Sequence, residues 1–164
     1  MKNILICWIG LTDIRASNND ESAGLGSIAQ AVKARGFDVI VLISNLSSEV
    51  NVAYITWLIQ LADASISLHK KTLTGPTQFG EIYQAAVGVV LKTRKNHGKD
   101  AALTFHLSPG TPAMAAVWII QSKTRYPAEL IESSPDAGVV TSCRQTNRVF
   151  KLSNTDKLDE KIWD

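Results

Sequence analysis

The chain has little cysteine, little proline and no long apolar run. Of its 164 residues, 2 are cysteine, too few for a disulfide framework, and they sit far apart at Cys7 and Cys143. Three histidines, His69, His97 and His106, share no metal-ligand spacing with them, so no structural zinc site is expected. Five prolines and ten glycines exclude a collagen-like or low-complexity chain. The longest hydrophobic run, Ile4 to Leu11, is too short to span a bilayer. It is followed by Thr12, Asp13 and Arg15 rather than by a small-residue cleavage site, which argues against a signal peptide. No GxxxxGK[ST] motif occurs, so no self-contained NTPase is expected. The GxGxxG fingerprint is missing as well, which removes a nicotinamide cofactor, and neither cofactor nor metal is expected. A formal net charge of +2 carries no strong basic field. The densest basic stretch, Lys92-Thr93-Arg94-Lys95, ends a predicted helix, where positive charge complements the helix dipole. These absences describe a soluble, cytoplasmic protein with free thiols and no membrane partner.

What is present is a globular composition, 45% hydrophobic and 20% charged, in a chain of one-domain length. Apolar segments alternate with helical ones. Asn3–Ile9 is an unbroken run of the buried-strand type. A polar loop from Thr12 to Glu21 follows. Ser22–Arg35 has helical spacing, with Leu25, Ile28, Ala29 and Val32 on one face and Gly36 closing it. Phe37–Ile43 is a second, β-branched strand. Ser47 or Ser48 can cap a helix running through Tyr54, Ile55, Leu58 and Leu61. Ser65–His69 alternates as a shorter strand, and Lys70–Thr77 is a loop punctuated by Gly75-Pro76. A helix over Phe79–Asn96 turns Phe79, Ile82, Tyr83, Ala86 and Val90 inward. Ala101–Leu107 is a fourth strand. Ser108-Pro109-Gly110-Thr111-Pro112 is a tight turn into a helix over Ala113–Arg125, with Pro112 suited to its first position. Ala128–Glu132 is a fifth strand, and Val139–Ser142 reads as a short sixth. The order predicts an α/β fold: a Rossmann-like, open, mainly parallel sheet with helices on both faces. The pattern fades after Thr141. Residues 143–164 read as a tail, a linker toward an absent effector domain, or a last helix over Thr155–Trp163.

Ligands of such sheets bind beyond the carboxyl ends of the strands, at the switch point. The loop after the first strand offers Thr12 and Asp13 as hydrogen-bonding groups and Arg15 as an anion partner. The turn after the fourth strand places Ser108, Gly110 and Thr111 at a helix N-terminus, whose amides and dipole favour an anion. His106 lies in a buried strand, where a histidine is more often a satisfied core residue than a catalyst. Ser108 is in no G-x-S-x-G elbow, so a hydrolase triad is not supported. Trp8, Trp57 and Trp118 follow core spacing and do not read as a base-stacking platform.

The stretch Thr104-Phe-His-Leu-Ser-Pro-Gly-Thr-Pro-Ala-Met114, followed by Tyr126-Pro-Ala-Glu-Leu-Ile-Glu-Ser-Ser-Pro135, resembles the CARF domain (CRISPR-associated Rossmann fold). It is most similar to the N-terminal sensor domain of RtcR-type sigma-54-dependent regulators of RNA repair. The likeness runs over roughly Lys2–Val140 and marks 1–142 as a CARF-like ligand-sensing domain. It implies a homodimer that binds a cyclic or linear oligoadenylate, or a nucleotide derived from an RNA end, across its two-fold axis. It implies ligand contacts at Ser108, Pro109, Gly110, Thr111 and Met114, with Thr12, Asp13 and Arg15 in the looser first loop. RtcR-type regulators continue into an ATPase and a DNA-binding domain; without a P-loop here, a separate effector chain or missing domains are expected. The alternative is a standalone, metal-independent ring nuclease that cleaves cyclic oligoadenylate. Thr12, Arg15, His106 and Ser108 would be its candidate catalytic groups.

Overall fold

A computed structural model describes residues 1–144. A six-stranded sheet carries the strand order β3-β2-β1-β4-β5-β6. Its strands are β1 (Asn3–Trp8), β2 (Val39–Ser44), β3 (Ser65–Lys70), β4 (Ala102–His106), β5 (Glu129–Ser134) and β6 (Gly138–Cys143). The helices are α1 (Leu11–Ser17), α2 (Gly26–Ala34), α3 (Ser48–Ile59), α4 (Phe79–His97) and α5 (Pro112–Thr124). The first five strands pair in parallel. β6 returns antiparallel to β5 through a turn ending at Gly138, so the sheet is mainly rather than wholly parallel.

The unbroken apolar character of β1 follows from its central place. Ile4, Ile6 and Trp8 face a core with Ile82, Ala86, Val90, Val117 and Trp118 from α4 and α5. Leu5, Cys7 and Ile9 face the opposite core with Ile28, Ala29, Tyr54 and Leu58 from α2 and α3. Alternate residues of a strand point to opposite faces, so a strand buried on both sides cannot alternate in polarity. Phe105 stacks on Trp118 with ring centroids 4.5 Å apart, anchoring α5 to β4.

Several expectations need correction. The polar segment after β1 is not a loop: Leu11–Ser17 is α1, and a short 3-10 turn spans Glu21–Ala23. α2 is shorter than expected, beginning at Gly26, because Gly24 and Gly26 take positive φ angles and break the helix there. Leu25 therefore lies outside the buried stripe and is 39% exposed. Gly36 is no left-handed cap; the helix ends at Arg35 in extended conformation. Phe79 opens α4 and is 45% exposed instead of inward, stacked on Tyr83 at 6.5 Å between ring centroids. In the Lys92–Lys95 run, Arg94 donates to the carbonyls of Lys99 and Ala101, both at 2.6 Å, and fastens the end of α4 to the start of β4.

β6 is tied to the sheet by more than its ladder. Arg35 forms a two-pronged ion pair with Glu129 at 2.8 and 3.2 Å and also donates to Thr141 Oγ1. The end of α2, β5 and β6 thus share one polar clasp. The expected sixth strand is longer than the sequence suggested and reaches Cys143, one residue past the expected domain limit at 142. The expected tail or helix over residues 155–163 lies outside the described residues.

Candidate functional site

The strand order reverses between β1 and β4, the two neighbours from which successive strands run outward in opposite directions. Above their carboxyl ends, the segments entering α1 and α5 meet almost without side chains. A Cβ built on Gly10 would stand 2.7 Å from the Gly110 amide nitrogen and 3.5 Å from Pro109 Cα. Gly110 itself has φ +90° and lies over Met114, whose Sδ would be 2.5 Å from an added Cβ. Two glycines, one per segment, are what allow this close approach. A cleft of about 310 Å³ opens there, lined by the start of α1, the β4–α5 turn, Ser27 of α2, Asn45 and Leu46 after β2, and Pro76 before α4.

Asp13 holds the floor of one wall. It is 1% exposed; Oδ2 accepts from the Gly10 amide and Oδ1 from the Ile28 amide, both at 3.0 Å. One carboxylate therefore caps the first turns of both α1 and α2. Burial raises its pKa, and the backbone hydrogen bonds from Ile28, Gly10 and Ser27 oppose that rise. With both oxygens engaged by the backbone, Asp13 shapes the cleft.

The expected ligand-binding and catalytic residues divide into two groups. Thr12, Asp13, Ser108, Pro109, Gly110, Thr111 and Met114 all line the cleft. Arg15 does not: because the segment coils into a helix, its side chain turns to Asp20 at 2.8 Å and Ser22 at 2.6 Å. His106 does not line it either and is fully buried, with Nε2 2.7 Å from Ser133 Oγ. Burial pulls its pKa down from the ordinary 6.5 to about 4, so the ring is neutral near pH 7. His106 is thus buried in the core, but not as a satisfied residue, since its Nδ1 has no partner among the described residues.

The turn after β4 presents donors. Ser108 Oγ accepts the Ser133 amide at 2.7 Å, which leaves its own proton free to donate. Thr111 is the N-cap of α5: its hydroxyl donates to Pro76 O at 2.9 Å and accepts from the Met114 amide at 3.4 Å. Pro112 has no amide proton, and the Ala113 amide has no partner among the described residues. Among the described residues no Lys, Arg or His lines the cleft, so its attraction for an anion rests on amides, hydroxyls and the dipole of the 13-residue α5.

Sequence reasoning missed Gly10, Ser27, Asn45, Leu46, Pro76 and Ser133. Asn45 was discoverable, since it follows β2 at the same carboxyl edge that singled out the other two loops. Ser133 was not, because its link to His106 and Ser108 depends on β4–β5 register. Lys123, whose Nζ lies 2.6 Å from Cys143 Sγ, was a further missed neighbour of that thiol.

No protein-family profile and no curated protein matches the chain. Solved structures do. Csm6 of Enterococcus italicus, bound to cyclic hexa-2'-fluoro-hexa-dAMP, superposes with a TM-score of 0.70 at 16% identity, over 84% of this chain and 34% of that one. Can2 of Sulfobacillus thermosulfidooxidans, in complex with cyclic tetra-adenylate, superposes with a TM-score of 0.62 at 10% identity, over 88% and 38%. Protein VC1899 of Vibrio cholerae gives 0.59 at 13% identity, over 89% and 34%. The chain spans little more than a third of the length of these proteins. The sheet order, the helices on both faces and these superpositions agree on one architecture: the fold is the Rossmann-like fold of CARF domains.

Proposed function

We propose that this domain is a regulatory sensor that binds a cyclic or linear oligoadenylate, as a homodimer, with the ligand's phosphates at the first turn of α5. The observation that carries the reading is the switch-point cleft, where the Ser108 hydroxyl keeps a proton to donate and α5 begins under a roof of two glycines with its Ala113 amide unpaired among the described residues. Two superposed proteins hold cyclic adenine nucleotides. In a dimer, the two-fold axis brings two such clefts to one ring. The bound state would be passed to an effector, in CRISPR-associated or RNA-repair transcriptional regulation of the RtcR type.

The alternative of a ring nuclease is less well served by the cleft. In-line attack by a ribose 2′-hydroxyl is helped by a base within hydrogen-bond reach. The two titratable candidates nearest the cleft are Asp13, whose oxygens are both engaged, and His106, which is buried beneath it. Charge stabilisation by Arg15 would require breaking its contacts with Asp20 and Ser22.

Calorimetric titration with cyclic tri-, tetra- and hexa-adenylate and linear adenylates ending in 2′,3′-cyclic phosphate, in EDTA, tests the reading. The expected outcome is binding of one ring per two chains and recovery of the ring intact by chromatography. Ser108→Ala should weaken it roughly tenfold, the value of one hydrogen bond to a charged acceptor. Absence of binding overturns the sensor; conversion of the ring to linear products replaces it with the nuclease.

A further inference from the structure

Beside the cleft lies a second pocket of about 260 Å³ that shares Thr12 and Ser27 with it. Its walls come from the segment between the 3-10 turn and α2, including Leu25, and from the end of β5, including Ser133 and Pro135. Gln30 of α2 also faces it. A cavity of roughly 150 Å³ suffices for a benzene ring, so this one has room for a bicyclic base.

Gln30 is held in one orientation. Its Nε2 donates to the Ser134 carbonyl at 2.6 Å. An inverted amide would set Oε1 against that carbonyl, acceptor against acceptor. Among the described residues Oε1 has no hydrogen-bond partner, and Nε2 keeps a second proton. Gln30, which lines the pocket, therefore carries one acceptor and one donor proton that no described residue takes up. That pair matches the adenine edge, where the N6 amine donates and a ring nitrogen accepts; a glutamine amide reads adenine in this two-pronged way. Guanine and hypoxanthine carry an oxygen at the same place, which would face Oε1 as a second acceptor. Ser133 adds a hydroxyl whose oxygen lies 2.7 Å from His106 Nε2.

The geometry points to this pocket as a base-reading subsite: it takes an adenine of the nucleotide whose phosphate lies at α5, and Gln30 is its specificity-determining residue. The inference rests on the oligoadenylate reading and adds to it the residue that selects the base.

The test compares cyclic tetra- and hexa-adenylate with their inosine counterparts on the wild-type chain and on two variants. The wild type should prefer adenine by at least roughly tenfold, one well-formed hydrogen bond against one repelled. Gln30→Met preserves length but removes both polar groups; it should bring the adenine-to-inosine ratio to about one. Leu25→Trp, at a position 39% exposed, should fill the pocket and weaken adenylate at least roughly tenfold. The ratio is the decisive readout, because a merely destabilised fold weakens both rings alike. A wild type that binds neither ring overturns the oligoadenylate reading and the subsite together. Adenylate binding with the preference unchanged in Gln30→Met, or unweakened by Leu25→Trp, overturns the subsite alone.

Discussion

His106 shows how one side chain sets a pH dependence. It is fully buried, its Nε2 meets Ser133 Oγ, and its Nδ1 has no partner among the described residues. Its pKa of about 4 lies below the ordinary 6.5. Between those values the unfolded chain takes up a proton that the folded chain refuses, so folding stability falls as pH falls through that window. Full protonation of the unfolded state against a neutral native ring amounts to about 3 kcal/mol. Urea denaturation at pH 7, 5.5 and 4.5 should show the decline, and His106→Phe should flatten it. Glu129 acts in the same direction at lower pH. Burial raises its pKa, but hydrogen bonds from Arg35 and Thr141 outweigh that and hold it below the ordinary 4.5. The stability from this clasp is present above 4.5 and is lost as pH falls through the depressed value.

At the scale of elements, the junction of α1, α2 and the β4–α5 turn is the part on which the site depends. Asp13→Ala would leave the Gly10 and Ile28 amides unpaired beneath the cleft. With about 1–3 kcal/mol for each buried group left unsatisfied, a loss of roughly 3 kcal/mol is expected by thermal or urea unfolding. Gly10→Ala has a different signature. Its methyl would press on the Gly110 backbone rather than on a flexible side chain, so the turn must move. A loss of about 1–3 kcal/mol is expected, together with loss of the proposed nucleotide binding at temperatures where the protein remains folded. Calorimetry well below the melting temperature separates the two effects.

The strands and long helices were legible because periodicity carries them: β1 and β2 are nearly pure apolar runs, and α4 and α5 carry inward stripes. α1 was not legible. It has 7 residues, its buried side is little more than Asp13 and Ala16, and a buried carboxylate looks from the sequence like an exposed one. Arg15 was misplaced for the same reason, since an extended loop and a helix send that side chain to different places.

For the whole molecule, the proposed sensor function couples ligand binding to folding. A ligand present at 100 times its dissociation constant adds about 2.7 kcal/mol to the native state. For a chain of this size each kcal/mol moves the melting temperature by about 2–4 °C, so cyclic adenylate at saturation should raise it by roughly 5–10 °C. Differential scanning fluorimetry with and without the ring measures this, and Gly10→Ala should abolish the shift. Among the described residues no helix is long and apolar enough to cross a membrane.

Side-chain pattern along the chain specifies the alternation of strands and helices, the burial of the central strands and the tight turn at Ser108–Pro112 that leads into α5. These are local properties, set by side-chain periodicity and by proline and glycine at fixed offsets. Packing in three dimensions is what makes β6 run antiparallel, brings Gly10 against Gly110, lets Asp13 cap two helices, and sets Gln30 at a pocket between α2 and the end of β5. Each of these joins residues distant in sequence, and each depends on strand register and helix packing, which no local pattern encodes.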